Sequence, residues 1–182
     1  MTHEFILSGF GGQGIMFMGL LLTYSGMKSG REVSWIPSYG PEMRGGTANC
    51  AVVVSDEPIA SPMVTEPTTA VVMNQPSVVK FGPLLVSGGT LIVNKSMASP
   101  EALDREDIEI RGIPATEIAT QLGNVRVANM VALGALLAAV PAVPMETVSD
   151  SLEDLLGERR SKLIPINREA LAIGYKRGRD NE

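Results

Sequence analysis

The chain has 182 residues, 45% of them hydrophobic and 19% charged, with a net charge of −5. That length and balance suit one folded domain with its own core and exclude a disordered chain. The acidic balance argues against a nucleic-acid partner, and one cysteine with one histidine leaves no zinc site, internal disulfide or cysteine-ligated cluster.

Taken in order, Phe5-Ile6-Leu7 reads as a short buried strand. Ser8 to Gly14 is a glycine turn, S-G-F-G-G-Q-G, and Ile15 to Leu22 a buried helix. The second strand, Glu32 to Ile36, ends in Pro37-Ser38-Tyr39. Thr47 to Ser55 is a third strand, turned by Asp56-Glu57-Pro58. The connection before it is too short for a crossover helix, so this strand is expected antiparallel. Ala70 to Met73 is a strand and Gln75 to Phe81 a helix, with Pro76 in its first turn. Thr90 to Asn94 and Asp107 to Ile110 are further strands. Helices are expected at Pro114 to Leu122, stopped by Gly123, and at Asn129 to Val140, Met145 to Leu156 and Asn167 to Lys176. Residues 1–176 read as one domain, and Arg177 to Glu182 as a frayed tail. The alternation predicts an α/β protein: a three-layer α/β/α arrangement around a mixed, mainly parallel sheet, Rossmann-like in its first half.

No stretch reads as a membrane span. Phe5 to Met27 is uncharged but broken by the glycine turn. Ala128 to Met145 is uncharged too, but Pro141 limits its helix to about 20 Å, short of the roughly 30 Å bilayer core. It is expected as a buried helix, or one half-buried at a subunit interface. Met1-Thr2-His3-Glu4 has no basic leader pattern, so the chain is expected in the cytoplasm. Cys50 reads as a small buried hydrophobe at the start of a strand.

Strand, glycine turn, helix is the layout that presents backbone N–H groups and a positive helix end to a phosphate. Gly9, Gly11 and Gly14 match the G-x-G-x-x-G dinucleotide pattern. That pattern also wants an acid ending the second strand, to hold a ribose hydroxyl. Glu32 stands at the wrong end, and no Lys-Ser/Thr pair follows Gly14 to make a P-loop. The second loop, Ser38-Tyr39-Gly40-Pro41-Glu42-Met43-Arg44-Gly45-Gly46, leaves the second strand. In a parallel unit it emerges at the same sheet edge as the glycine turn, where ligands bind. Its Glu42 and Arg44 could equally be a solvated pair.

Together, G-F-G-G-Q-G at Gly9 to Gly14, S-Y-G-P-E-M-R-G-G at Ser38 to Gly46 and Asn74-Gln75-Pro76 resemble the gamma subunit of 2-oxoacid:ferredoxin oxidoreductases. The 2-oxoglutarate branch is the most similar. The resemblance implies a subunit without activity of its own. It implies thiamine-binding alpha and beta subunits and a ferredoxin-like subunit as partners, with thiamine diphosphate and iron–sulfur clusters held there, and ferredoxin as electron acceptor. It implies that this chain helps bind coenzyme A, which receives the acyl group. Gly11, Gly12, Gln13 and Gly14 would meet the pyrophosphate; Ser38, Tyr39 and Arg44 would close over the coenzyme. Two other readings stand beside it: a nicotinamide dehydrogenase, and a structural adaptor in which the glycine turn only packs.

Overall fold

The computed structural model describes residues 1–38 and 47–180. A six-stranded sheet is built from β1 (Thr2–Phe10), β2 (Glu32–Ser38), β3 (Thr47–Ser55), β4 (Thr69–Val72), β5 (Thr90–Asn94) and β6 (Glu109–Ile113). The helices are α1 (Ile15–Lys28), α2 (Gln75–Phe81), α3 (Ala115–Gln121), α4 (Ala128–Ala139), α5 (Met145–Leu156) and α6 (Ile164–Asp180). Strand order is β2-β3-β1-β4-β5-β6. β1, β4, β5 and β6 run parallel, and β3 runs antiparallel to both its neighbours, β1 and β2. The mixed, mainly parallel α/β sheet and the antiparallel third strand are as the sequence leads one to expect. The β1-α1-β2 unit is present, but β3 is inserted between its two strands.

Side chains alternate across the pleat and feed two cores. Phe5, Leu7, Val52, Val71 and Ile92 face the larger one, which α1, α3, α4, α5 and α6 cover. Ile6, Ala70, Val72, Leu91 and Val93 face the smaller one, beneath α2. The central strands are apolar on both faces because both faces are covered. Pro37 lies inside β2, which is an edge strand, where a missing ladder donor is tolerated.

The apolar α4 is an interior helix. Every residue from Ala128 to Leu137 is buried. α6 lies along it, and the reason is backbone proximity. A Cβ on Gly174 would fall on the Val131 carbonyl, and one on Gly134 on the Leu171 carbonyl. The alternative of an interface helix is thereby corrected: its apolar surface is used within the chain. The expected tail is also corrected, since Arg177 to Asp180 continue α6. No helix among the described residues is long and apolar enough to cross a membrane.

Candidate functional site

β1 runs three residues further than the apolar run Phe5-Ile6-Leu7, so Gly9 belongs to the strand. Its neighbours explain the glycine: a Cβ there would meet Gln13, Ile15 and Met73. The turn proper is Gly11 to Gly14. Gly12 and Gly14 have φ of 92° and 74°, the left-handed region that favours glycine. Among the described residues, nothing lies within 4 Å of a Cβ built on Gly12, so that backbone faces open space there. Gly14 is the N-cap of α1, with no side chain capping the helix and no acid in its first turn. Among the described residues, the first backbone N–H groups of α1 therefore have neither an intrahelical acceptor nor a side-chain cap. Such a helix end is suited to a phosphate or pyrophosphate.

Gln13 acts as a strut. Its Oε1 accepts from the Phe10 N–H at 2.6 Å, and its Nε2 donates to the Met73 carbonyl at 3.4 Å. It thus ties the end of β1 to the end of β4. Asn129, at the start of α4, donates from Nδ2 to the Gly14 carbonyl at 3.1 Å. Asn94, closing β5, donates to the Met73 carbonyl and to Thr116 Oγ1. The C-terminal ends of β1, β4 and β5 are locked into one rim by these side-chain amides.

Ser38 ends β2 on the same edge. Ser38 and Ser8 both pair with Asn49 of β3, from opposite sides. Two strand spacings put Ser38 roughly 10 Å from β1. Tyr39 and Arg44 lie outside the described residues, as do Glu42 and the rest of that loop. Gly11, Gly12, Gln13, Gly14 and Ser38 are thus brought to one rim.

Among the described residues, three clefts border Gly12: one of about 330 Å³, also bounded by Phe10, Gly11, Phe17 and Ala48, and two more. The larger of these two, of about 640 Å³, is bounded by Gly12, Gly14, Phe17, Arg126 and Arg160. The smaller, of about 240 Å³, is bounded by Phe10, Gly12, Met97, Thr116 and Arg126. Arg126 sits in a short 3-10 turn whose N-cap, Asn124, accepts the Arg126 N–H at 3.1 Å. Neither Arg126 nor Arg160 was signalled by the sequence. Both are remote from the turn along the chain, and neither stands in a recognisable motif.

Cys50 is fully buried in β3, where its thiol donates to the Ile15 carbonyl. Burial pushes its pKa up to about 11, the Trp35 indole only partly offsetting this. At neutral pH it is a protonated apolar group rather than a nucleophile. Among the described residues, no three His, Cys, Asp or Glu side chains are grouped to hold a metal.

A parallel sheet edge carrying an uncapped helix N-terminus beside open clefts gives an α/β module of a layout suited to an anion. Residues 4–177 match the family described as pyruvate ferredoxin/flavodoxin oxidoreductase, and the chain belongs to that family. It is 36% identical over 176 residues to the ketoisovalerate oxidoreductase subunit VorA of Methanothermobacter thermautotrophicus, covering 96% of this chain and 36% of that one. The chain thus spans about a third of the length of that relative. It is 36% identical over 156 residues to the 2-oxoglutarate synthase subunit KorC of Methanocaldococcus jannaschii, covering 85% and 83% of the two chains. The keto/oxoacid ferredoxin oxidoreductase gamma subunit of Geobacter sulfurreducens superposes with a TM-score of 0.82 at 25% identity, over 97% and 98% of the two chains. The 2-oxoglutarate:ferredoxin oxidoreductase of Magnetococcus marinus, solved with 2-oxoglutarate, coenzyme A and succinyl-CoA bound, superposes with a TM-score of 0.88 at 23% identity. The match covers all of this chain and 31% of that one, and it speaks to fold alone. The gamma-subunit resemblance read from the sequence is borne out.

Proposed function

We propose that this chain is the gamma subunit of a 2-oxoacid:ferredoxin oxidoreductase and contributes the coenzyme A site. The overall reaction is oxidative decarboxylation of a 2-oxoacid, 2-oxoglutarate foremost, to acyl-coenzyme A, carbon dioxide and reduced ferredoxin. The observation that carries the coenzyme A reading is the open backbone of Gly12 beside the uncapped, acid-free start of α1. That arrangement suits a pyrophosphate, and the family membership supplies a coenzyme that has one. Thiamine diphosphate and the iron–sulfur clusters belong, on this reading, to alpha, beta and ferredoxin-like partner subunits. When bound, coenzyme A supplies the thiol that accepts the acyl group.

This chain's own residues bind and orient. The first-turn N–H groups of α1 hold the pyrophosphate. Gln13, Asn94 and Asn129 fix the rim that aims those groups. Ser38, Tyr39 and Arg44 belong to the loop assigned to cover the coenzyme.

The test is steady-state kinetics of the coexpressed complex with 2-oxoglutarate, coenzyme A and a viologen acceptor. Gly12→Val puts a side chain into the open space and strains a φ of 92°. We expect the apparent KM for coenzyme A to rise about ten-fold or more, the worth of roughly one charge-assisted hydrogen bond. The KM for the 2-oxoacid should stay within two-fold or so, because that substrate meets the thiamine cofactor elsewhere. Equal effects on both substrates, or none on either, would overturn the site. The isolated chain is expected to be inactive in the same assay.

A further inference from the structure

The larger cleft holds more positive charge than a pyrophosphate requires. Four other arginines of the chain are spent on acids: Arg31 with Asp56, Arg105 with Asp107, Arg111 with Glu109, and Arg168 with Glu153. Arg126 and Arg160 make no ion pair among the described residues, yet both border the cleft that opens at Gly12 and Gly14. They come from separate elements. Arg126 is in the 3-10 turn before α4, and Arg160 is in the 3-10 segment Glu158–Leu163 after α5. Two exposed arginines from different elements thus border the cleft that Gly12 and Gly14 of the uncapped α1 end also line, and they bring positive charge there on an otherwise acidic chain.

The clefts of about 640 and 240 Å³ at Gly12 also differ in chemistry. The smaller one is walled largely by carbon, from Phe10, Met97, Val125 and Ala128. The larger, at about 640 Å³, is of a size that holds a nucleoside. A ligand lying across Gly12 would need a thin, weakly polar arm on one side. On the other it would need a bulky group with a phosphate beyond its pyrophosphate. Coenzyme A has this asymmetry: a pantetheine arm, a pyrophosphate, and an adenosine bearing a 3′-phosphate.

Resting on the coenzyme A reading above, we infer that Arg126 and Arg160 bind the 3′-phosphate of coenzyme A in the cleft beside Gly12. They thereby make the site selective for coenzyme A over its 3′-dephospho form. A phosphate monoester carries close to two negative charges at neutral pH, and the planar guanidinium matches its oxygens bidentately, as a lysine ammonium does not. Selectivity follows because a cofactor lacking that phosphate leaves both cations without their anion.

The test uses the assembled complex and compares kcat/KM for coenzyme A with that for 3′-dephospho-coenzyme A. It does so in the wild type and in Arg126→Gln, Arg160→Gln, the double variant and Arg160→Lys. Native mass measurement confirms that each variant assembles. We expect the wild type to prefer coenzyme A by about a hundred-fold, roughly ten-fold per guanidinium contact. Each glutamine variant should lose about ten-fold of that preference, with the loss falling on coenzyme A and not on its dephospho form. Arg160→Lys should fall between wild type and Arg160→Gln. A wild type that uses both cofactors equally overturns the inference and leaves the coenzyme A reading standing. So do variants that weaken both cofactors in parallel. A complex that turns over 2-oxoacid with no dependence on coenzyme A overturns the reading itself.

Discussion

Gln13 shows how a motif residue can brace the turn it belongs to. In the sequence it sits between two glycines of a phosphate-type turn, and a direct contact is the natural expectation. In the structure its amide bonds to the Phe10 N–H and the Met73 carbonyl. Its backbone N–H donates to the Phe10 carbonyl at 3.1 Å. Gln13→Ala leaves a part-buried Phe10 N–H unsatisfied, which costs about 1–2 kcal/mol. For a chain of this length that lowers Tm by about 3–6 °C. Gln13→Glu keeps the acceptor for Phe10 but adds a negative charge beside the helix end. It should keep most of the stability and still raise the coenzyme A KM. Thermal melts and coenzyme A titrations of the two variants in the complex separate strut from ligand contact. If Gln13→Ala melts with the wild type while its coenzyme A KM rises, the strut role is wrong. The turn glycines were legible because positive φ demands glycine at Gly12 and Gly14. The direction of the Gln13 amide was not, because it depends on Met73, far away in sequence.

Elements read well from the sequence where period and punctuation agreed. α2, α5, β3 and β5 have the expected limits, each bounded by proline, glycine or acidic turn residues. β6 lies two residues later than expected at its start and three at its end, at Glu109–Ile113. Its pairing with β5 sets that register: Thr90 pairs with Glu109, and Asn94 with Ile113. A single edge strand with little apolar alternation could not reveal it. α6 starts earlier and ends later than expected, at Ile164–Asp180, because α4 supports it along its length. That support rests on close backbone approach. Gly174→Val would drive a branched side chain into the Val131 carbonyl. We expect a loss of at least about 3 kcal/mol, at the upper end for overpacking, read as a lowered urea midpoint. A wild-type midpoint for Gly174→Val would disprove the α4–α6 contact.

For the whole molecule, the groups that titrate on acidification point one way. His3 is half-buried, and burial lowers its pKa from the ordinary 6.5, with Arg31 acting in the same direction. Its unfolded form takes up a proton first, so stability starts to fall as pH drops below about 6.5. The Lys28 ammonium donates to Asp154 at 2.8 Å, joining α1 to α5, and holds that carboxyl below its ordinary value. Arg105 grips Asp107 and lowers its pKa from 3.8 to about 2. A depressed carboxyl contributes stability that is complete above its unfolded value and lost as pH falls through its folded one. The urea midpoint should therefore decline steadily from about pH 6.5 toward pH 2. Asp107→Asn should flatten the part between about pH 4 and pH 2 at low salt, since these pairs are exposed and screened. A midpoint that holds or rises on acidification would contradict this.

The sequence by itself determined the alternation of strands and helices, the glycine turn at the head of α1 and the family to which the chain belongs. These are local properties: side-chain period, positive-φ glycines, and short motifs read in order. It also determined that β3 must reverse, since eight residues from Tyr39 to Gly46 cannot carry a crossover helix. The tertiary structure decided which strand lies beside which, placing β3 between β1 and β2. It decided that α4 is interior, because α6 closes over it through Gly134 and Gly174. It also brought Arg126 and Arg160 to the cleft at Gly12. Such proximities arise when distant segments bury their apolar faces together, and no local pattern in the chain records them.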